Sequence, residues 1–192
     1  MKAPKITIAT AADRDQIVNS MVAAFSNDPV LRYLFPHEVE FPKYAAVFFG
    51  HLFDKRVGLD TVWTVGRGAS VAMWEPPMAD KQASEESLAD CLPHDVLARV
   101  NRYEDAVHAA LPTGQFWYLG VLGTHPAYAG RRWGRAVMRA GLNCAAAAGM
   151  PSILETSNPI NVGVYRRAGW EVVRTVTEPL PIWVMQQAST AI

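Results

Sequence analysis

A short segment rich in arginine and glycine carries the clearest chemical signal in the sequence. Residues 125–135 are His-Pro-Ala-Tyr-Ala-Gly-Arg-Arg-Trp-Gly-Arg, and Arg139 follows four residues later. The segment lies between an apolar run and a predicted helix, so its arginines crowd the positive end of the helix dipole, where cations are disfavoured. Free backbone N–H groups, close approach at glycine and flanking guanidinium groups would together hold a phosphate or pyrophosphate. The alternative is that Gly130 and Gly134 only permit a turn and the arginines are solvated surface.

Other classes of site lack their sequence patterns. No Gly-Lys-Ser/Thr follows a glycine loop, as it does in Walker-type ATPases, and no dinucleotide-binding fingerprint follows a predicted strand. His-Glu-x-x-His, Gly-x-Ser-x-Gly and Cys-x-x-Cys are also absent. Metal and acyl-serine chemistry therefore lack support, and we expect no metal.

The composition is that of one globular domain over residues 1–192. Half of the residues are hydrophobic, which is ample for a core. The 18 basic and 18 acidic side chains cancel, so no global field draws the chain to nucleic acid or to a membrane surface. We find no secretory signal and no apolar run near the roughly 20 residues of a membrane helix. Because Cys91 and Cys144 form neither a metal-spaced pair nor a disulfide framework, we expect a reducing, cytoplasmic setting.

The elements that would position this segment follow from hydrophobic periodicity and turn residues. Strands are predicted at residues 5–9, 61–65, 69–74, 116–124, 152–156, 170–176 and 181–186. Helices are predicted from Ile17 through Phe25 and around residues 45–55, 92–110, 134–148 and 162–168. Thr10 and Asp13 indicate a capping box before the first helix, Gly66-Arg67-Gly68 indicates a hairpin, and residues 78–90 are expected to be a polar loop that leads into a surface helix. A strand–helix–strand crossover from 116 to 156 places the arginine-rich turn at its front edge, within an α/β domain that has a mixed sheet.

This pattern resembles the acetyl-CoA-binding core of the GCN5-related N-acetyltransferases. In that family the turn is Gln/Arg-x-x-Gly-x-Gly/Ala, followed after the next strand by an Asn and by a Tyr just ahead of a Leu-Gly-Phe-like turn. The matching residues here are Leu122-Gly123-Thr124, the turn itself, Asn158, Asn161, Tyr165 and Arg167-Ala168-Gly169-Trp170. Segments 23–29, 56–60, 69–74 and 154–157 extend the resemblance over nearly the whole chain. It implies a single domain whose central sheet is mixed, splayed and flanked by helices. Ala129 and Arg132 depart from the family pattern, since they stand where Gln or Arg and the first glycine are usual.

The resemblance also implies how acetyl-CoA is bound. The pantetheine arm would lie against Leu122 and Thr124, where a backbone N–H polarises the thioester carbonyl while an amine attacks directly. Tyr165 matches the general acid that protonates the departing thiolate. Asn158 and Asn161 are both at spacings that the family uses, although either could instead cap the helix near residue 162. The cofactor-binding residues implied in this way are Leu122, Gly123, Thr124, Gly130, Arg131, Arg132, Trp133, Gly134, Arg135, Asn158 and Asn161.

The acceptor side is expected at the end of the strand that carries Glu155. A carboxylate is rarely buried without a partner, so Glu155 either binds or deprotonates the amine or pairs with a nearby arginine. Tyr33 and Phe35 match the region that covers the acceptor in the family, and Trp74 and Trp117 flank the strands expected to wall its pocket. Aromatic walls suit a flat or apolar amine.

The sequence therefore predicts an N-acetyltransferase that transfers the acetyl group of acetyl-CoA to a primary amine of a small molecule, such as an antibiotic-like or toxic metabolite. Two alternatives stay open: a non-catalytic acyl-CoA-binding sensor, which Arg132 allows but Tyr165 argues against, and a protein or peptide acetyltransferase, for which only residues 80–90 offer acidic surface. Whether the chain forms a homodimer also stays open. His51 and His108 lie on predicted helices and are expected to be surface or core histidines.

Overall fold

The computed structural model describes residues 4–77 and 85–189. Within these ranges the strands are β1 (Ile6–Ile8), β2 (Val62–Val65), β3 (Ser70–Glu75), β4 (Trp117–Thr124), β5 (Ser152–Thr156), β6 (Glu171–Val176) and β7 (Ile182–Gln187). The helices are α1 (Arg14–Ala24), α2 (Pro29–Leu34), α3 (Phe41–Val57), α4 (Glu85–Cys91), α5 (His94–Ala110), α6 (Trp133–Ala147) and α7 (Pro159–Arg167). In the part of the chain described, no helix has the length and apolar character needed to cross a membrane.

The strands form one mixed sheet in the order β1-β2-β3-β4-β5-β7-β6. All neighbouring pairs are antiparallel except β4 and β5, which are parallel and are joined through α6. The β4–β5 pairing joins Trp117–Leu119 only to Ser152–Leu154, after which β4 continues to Thr124 without β5. The sheet is therefore splayed between these two strands, and the predicted fold class, a single α/β domain with a mixed, splayed sheet flanked by helices, is confirmed.

Each face of the sheet is covered by its own hydrophobic cluster. One cluster lies under α1, α2, α3 and α5 and includes the fully buried Ile17, Phe49 and Met73. The other lies under α6 and α7 and includes the fully buried Trp74 and Trp170. Burial of a large apolar side chain contributes about 1.5–3 kcal/mol, so both faces are needed for stability. Met73 and Trp74 are adjacent in β3 and face opposite clusters, as the alternation of a strand requires.

The predicted strands and helices agree with the structure to within about four residues at their ends. The Asp13 carboxylate accepts a hydrogen bond of 3.0 Å from the Thr10 backbone N–H, as a capping box requires. One helix, α2, is absent from the predicted elements. The Asp28 carboxylate accepts from the Val30 N–H at 2.9 Å and Pro29 occupies the first turn, so Asn27-Asp28-Pro29 both ends α1 and starts α2. Residues 78–84 of the predicted polar loop lie outside the described residues. The surface helix predicted to follow corresponds to α4, which begins at Glu85.

Two helix glycines test how closely the helices approach the sheet. A Cβ atom at Gly141 of α6 would overlap the buried indole of Trp74, whereas one at Gly163 of α7 would meet nothing nearer than the Arg167 guanidinium at 3.5 Å. Gly141→Ala should lower the free energy of unfolding by about 1–2 kcal/mol, since overpacking outweighs the better helix propensity of alanine. Gly163→Ala should instead raise it by up to about 1 kcal/mol. Urea denaturation of both variants measures this, and a Gly141→Ala protein as stable as the wild type would contradict the packing described.

Candidate active site

Backbone groups of β4 are unpaired where the sheet splays. The His125 N–H donates to the Ala69 carbonyl at 2.9 Å, and Gly123 lies opposite Val71, so alternate residues of β4 carry the hydrogen bonds to β3. The N–H and C=O groups of Leu122 and Thr124 are therefore directed toward the other edge, beyond the last pairing with β5. Among the described residues no strand pairs with that edge, which leaves donors and acceptors for an extended ligand.

A bulge interrupts the pairing of β4 with β3, on the edge of β4 opposite the unpaired one. Trp74 lies opposite Leu119 and Met73 lies opposite Val121, so Gly120 is an extra residue in β4. A Cβ atom at Gly120 would lie 3.0 Å from the Arg56 guanidinium. The missing side chain therefore lets Arg56 lie against the strand.

The arginine-rich turn brings free N–H groups and positive charge to the end of β4. Gly130 has φ +78°, and Arg132, the N-cap of α6, has φ +60°. This left-handed conformation costs a non-glycine residue roughly 1–2 kcal/mol. Arg132 adopts it at the position where the family described above usually has glycine, and its side chain is exposed. The first N–H groups of α6 have no acceptor within the helix. A Cβ atom at Gly134 would lie 3.3 Å from the Thr124 hydroxyl oxygen, so the start of α6 lies directly beside β4.

Arg131 is held over two aromatic rings at this helix start. Its guanidinium carbon lies 5.4 Å from the centre of the Tyr128 ring and 5.0 Å from that of Trp133, and the two rings stack on each other. Cation–π contacts of this kind orient the charge. The structure thus brings residues 130–135 together with Leu122–Thr124, in an arrangement suited to a diphosphate joined to an extended chain.

A cavity of about 800 Å³ lies on the α3 and α5 side of the sheet and reaches the splay, where Leu122, Asn161 and Tyr165 line it. The volume is typical of a small-molecule site. The cavity walls also carry carboxylates and aromatic rings, among them Asp28, Glu75, Glu104, Glu155, Phe25, Phe48, Phe49, Tyr103 and Tyr118.

Glu155 lies in this wall and titrates near neutral pH. Its Oε2 atom accepts a short hydrogen bond from the Tyr118 hydroxyl. Burial raises the pKa of Glu155 to about 7, opposed by the Tyr118 hydrogen bond and the Arg56 charge and reinforced by Asp28. A carboxylate with such a pKa is partly ionised at physiological pH and is in the range expected of a general base.

Arg56 is a buried arginine whose charge acts on this carboxylate, yet it pairs elsewhere. Its Nη2 atom donates to Glu75 Oε2 at 2.9 Å and its Nη1 atom donates to the Leu52 carbonyl at 2.9 Å. None of the ion pairs found in residues 4–77 and 85–189 includes Glu155. The geometry therefore favours the reading in which Glu155 faces a ligand over the one in which it only pairs with an arginine.

Tyr165 and Asn161 lie one turn apart on α7, and both line the cavity. Burial raises the pKa of Tyr165, and the negative charges of Glu155 and Asp28 add to the rise, so the phenol stays neutral and keeps its proton at physiological pH. The ring packs edge to face against Trp170 at 6.1 Å between centres. The side chain of Asn158 accepts from the Ile160 N–H at 3.0 Å, so Asn158 is the helix cap that the sequence left open.

The four aromatic residues expected at the acceptor wall do not line the cavity, which corrects their expected placement. Phe35 is 1 % exposed and packs among core aromatics, and Tyr33 packs against the same cluster. Trp74 and Trp117 lie in the cluster under α6, on the other face of the sheet.

Strand alternation explains the placement of the two tryptophans. In each strand the neighbouring residue faces the cavity: Glu75 rather than Trp74, and Tyr118 rather than Trp117. His51 and His108, expected to be surface or core, also line the cavity, and burial lowers the pKa of His51 to about 4. Sequence reasoning missed these residues because periodicity does not show that α3 and α5 face each other across a cavity.

No group of three or more His, Cys, Asp or Glu side chains suited to a metal ion occurs in the described ranges. The sequence matches no model of a protein family. Solved structures share its fold.

A histone acetyltransferase HPA2 and related acetyltransferase from Corynebacterium glutamicum aligns over 98% of both chains with a TM-score of 0.71 and 20% identity. Arylalkylamine N-acetyltransferase 2 from Aedes aegypti aligns over 98% of this chain and 100% of its own, with a TM-score of 0.67 and 10% identity. The C-terminal condensation domain of Ebony, solved with beta-alanyl-dopamine, gives the same coverage, a TM-score of 0.72 and 10% identity. The chain thus has the fold of the GCN5-related N-acetyltransferases.

The turn at residues 130–135 yields a binding prediction. If the start of α6 holds the diphosphate of acetyl-CoA, Arg131→Glu should weaken acetyl-CoA binding by on the order of 1.5–3 kcal/mol, because it replaces a charge-assisted contact with repulsion. Isothermal titration calorimetry measures the affinity. Arg102→Glu makes the same charge change at an exposed position of α5 and should leave the affinity unchanged. Equal affinities for both variants and the wild type would contradict the assignment.

Proposed function

We propose that this protein is an acetyl-CoA-dependent N-acetyltransferase that acetylates a primary amine of a small molecule by direct attack within a ternary complex. The observation that carries the proposal is a proton acceptor, Glu155, and a proton donor, Tyr165, in the wall of one cavity that opens onto the unpaired edge of β4. Direct acyl transfer to an amine is accelerated by a group of each kind.

The residues present fit acetyl-CoA, which would supply the acetyl group as a thioester. The N–H groups and arginines of residues 130–135 suit its diphosphate. The edge formed by Leu122, Gly123 and Thr124 suits the amide-bearing pantetheine arm, and a free N–H there would polarise the thioester carbonyl. Asn161, from α7, faces the same space.

Proton transfer to Glu155 and proton transfer from Tyr165 are coupled through charge. An alkyl ammonium has a pKa of about 10.4, so under one in a thousand is neutral at pH 7, and Glu155 accepts the proton before attack. The negative charge of Glu155 raises the pKa of Tyr165. Burial keeps the pKa of Tyr165 raised throughout, but once Glu155 is protonated its added contribution is gone, so Tyr165 becomes a stronger acid than before when a thiolate must be protonated.

The lining of the cavity supports an amine with a flat or apolar body. Carboxylates attract the ammonium group and aromatic rings contact the remainder. The resemblance of segments 23–29, 56–60, 69–74 and 154–157 is to puromycin N-acetyltransferase in particular, and one neighbour in fold is an arylalkylamine N-acetyltransferase. Both support a small antibiotic-like or toxic amine over a peptide substrate.

Removal of the Tyr165 hydroxyl tests the general acid. Tyr165→Phe should lower kcat by about 10²- to 10⁴-fold with little change in acetyl-CoA affinity, because the proton donor is lost and the ring is kept. Steady-state kinetics with the best amine measures this. Tyr44→Phe, which removes a hydroxyl outside the cavity, is the control. A kcat within a factor of three of the wild type would assign protonation of the thiolate to another group.

Glu155→Gln tests the general base. Wild-type activity should rise as pH increases through about 7, where Glu155 ionises. The variant should be far less active at pH 7 and partly recover as pH approaches the pKa of the amine, because free amine then needs no base. Rate profiles from pH 6 to 9 measure this. A variant with wild-type kinetics but a lower melting temperature would make Glu155 structural.

A further inference from the structure

We propose that Tyr118 is a positioning residue, which fixes the Glu155 side chain across the splay and holds it in the ionised form that accepts the proton. The inference rests on the proposed acetyl transfer, and it concerns a residue outside the predicted site.

Strand register places the two side chains together. Tyr118 of β4 lies opposite Ile153 of β5, and Glu155 follows two residues later, so both side chains project from the same face. The β4–β5 pairing ends at Leu119 and Leu154, and Glu155 pairs only with Val184 of β7. The hydrogen bond from Tyr118 therefore reaches from a paired residue of β4 to Glu155, the first residue of β5 past the last backbone pair.

Glu155 is surrounded by ionisable groups from five elements or their ends. They are Tyr118 of β4, Tyr103 of α5, Arg56 of α3, Asp28 at the start of α2 and Tyr165 of α7. Asp28 opposes ionisation, and Arg56 is already paired with Glu75. Among the groups that favour the carboxylate, the Tyr118 hydroxyl has the largest effect.

Tyr118 is suited to this role because it stays neutral. Burial and the adjacent Glu155 charge raise its pKa well above the ordinary tyrosine value. It therefore remains a hydrogen-bond donor throughout the pH range in which Glu155 titrates, and it adds no charge that would compete with the acceptor amine.

Removal of the hydroxyl should shift the pH profile of the reaction. With Tyr118→Phe, burial of Glu155 is less compensated, so the acidic limb of kcat/KM should move upward by about one to two pH units. Activity should fall roughly 5- to 50-fold at pH 7 and return to within about two-fold at pH 9, where the carboxylate is ionised again. A merely structural role would lower activity equally at every pH.

The control is Tyr44→Phe, which removes a hydroxyl that lies 3.4 Å from the Glu40 carboxylate and outside the cavity. Its acidic limb should match that of the wild type. A second variant keeps the ring and the hydroxyl: 3-fluorotyrosine at position 118 is a stronger donor and should move the limb downward. Limbs that do not move in opposite directions in the two Tyr118 variants would overturn the proposal.

A titration independent of activity separates this inference from the proposed function. The ¹³C carboxyl signal of Glu155, assigned by its loss in Glu155→Gln, should titrate at least about one pH unit higher in Tyr118→Phe than in the wild type. An unchanged titration would overturn the role of Tyr118. If the signal shifts in Tyr118→Phe but the wild-type protein acetylates no amine, acetyl transfer is contradicted and the Tyr118–Glu155 contact stands.

Discussion

The early end of the pairing between β4 and β5 is the constraint on which the site depends. After Leu119 and Leu154 the two strands separate, although each stays paired on its outer side, β4 with β3 and β5 with β7. Backbone groups that would otherwise complete a parallel ladder are left for a ligand. The same separation lets the cavity reach Leu122 and puts Glu155 at the point of divergence. A fully paired sheet would bury all of these groups.

Two regions of opposite charge meet at this opening. The start of α6 combines free N–H groups with Arg131, Arg132 and Arg135, which suits an anionic donor of the acyl group. The cavity on the other side contains several carboxylates, which suit a cationic acceptor. The formal net charge of the chain is zero, so this separation is local. In the proposed reaction it would allow donor and acceptor to approach from different sides without competing for one site.

Much of the fold and part of the site could be predicted from the sequence. The arginine-rich turn, the crossover that follows it and the positions of Glu155 and Tyr165 followed from spacing and resemblance, because local turns and helix starts have strong residue preferences. The choice of face did not follow. Alternation shows which residues share a face but not which face borders the cavity, and the bulge at Gly120 interrupts the alternation within β4.

Aromatic pairs made the choice of face harder. Trp117 and Tyr118 are both large and amphipathic, so composition alone did not show that only the tyrosine faces the cavity. The histidines of α3 and α5 needed the tertiary packing of two helices that are far apart in sequence. Asp28 was not singled out because Asn27-Asp28-Pro29 was interpreted only as the end of the first helix, whereas Asp28 also caps α2 and lines the cavity.

The most direct test of the central claim is a screen for acetyl transfer. The purified wild-type protein is incubated with acetyl-CoA and a panel of primary amines, with thiol release followed by absorbance and acetylated products identified by mass spectrometry. Acetyl transfer predicts that arylalkyl or other flat amines give a product about 42 mass units heavier, because an acetyl group replaces a hydrogen, and that thiol is released in equal amount. Tight binding of acetyl-CoA with no product from any amine would contradict catalysis and would instead support an acyl-CoA-binding sensor.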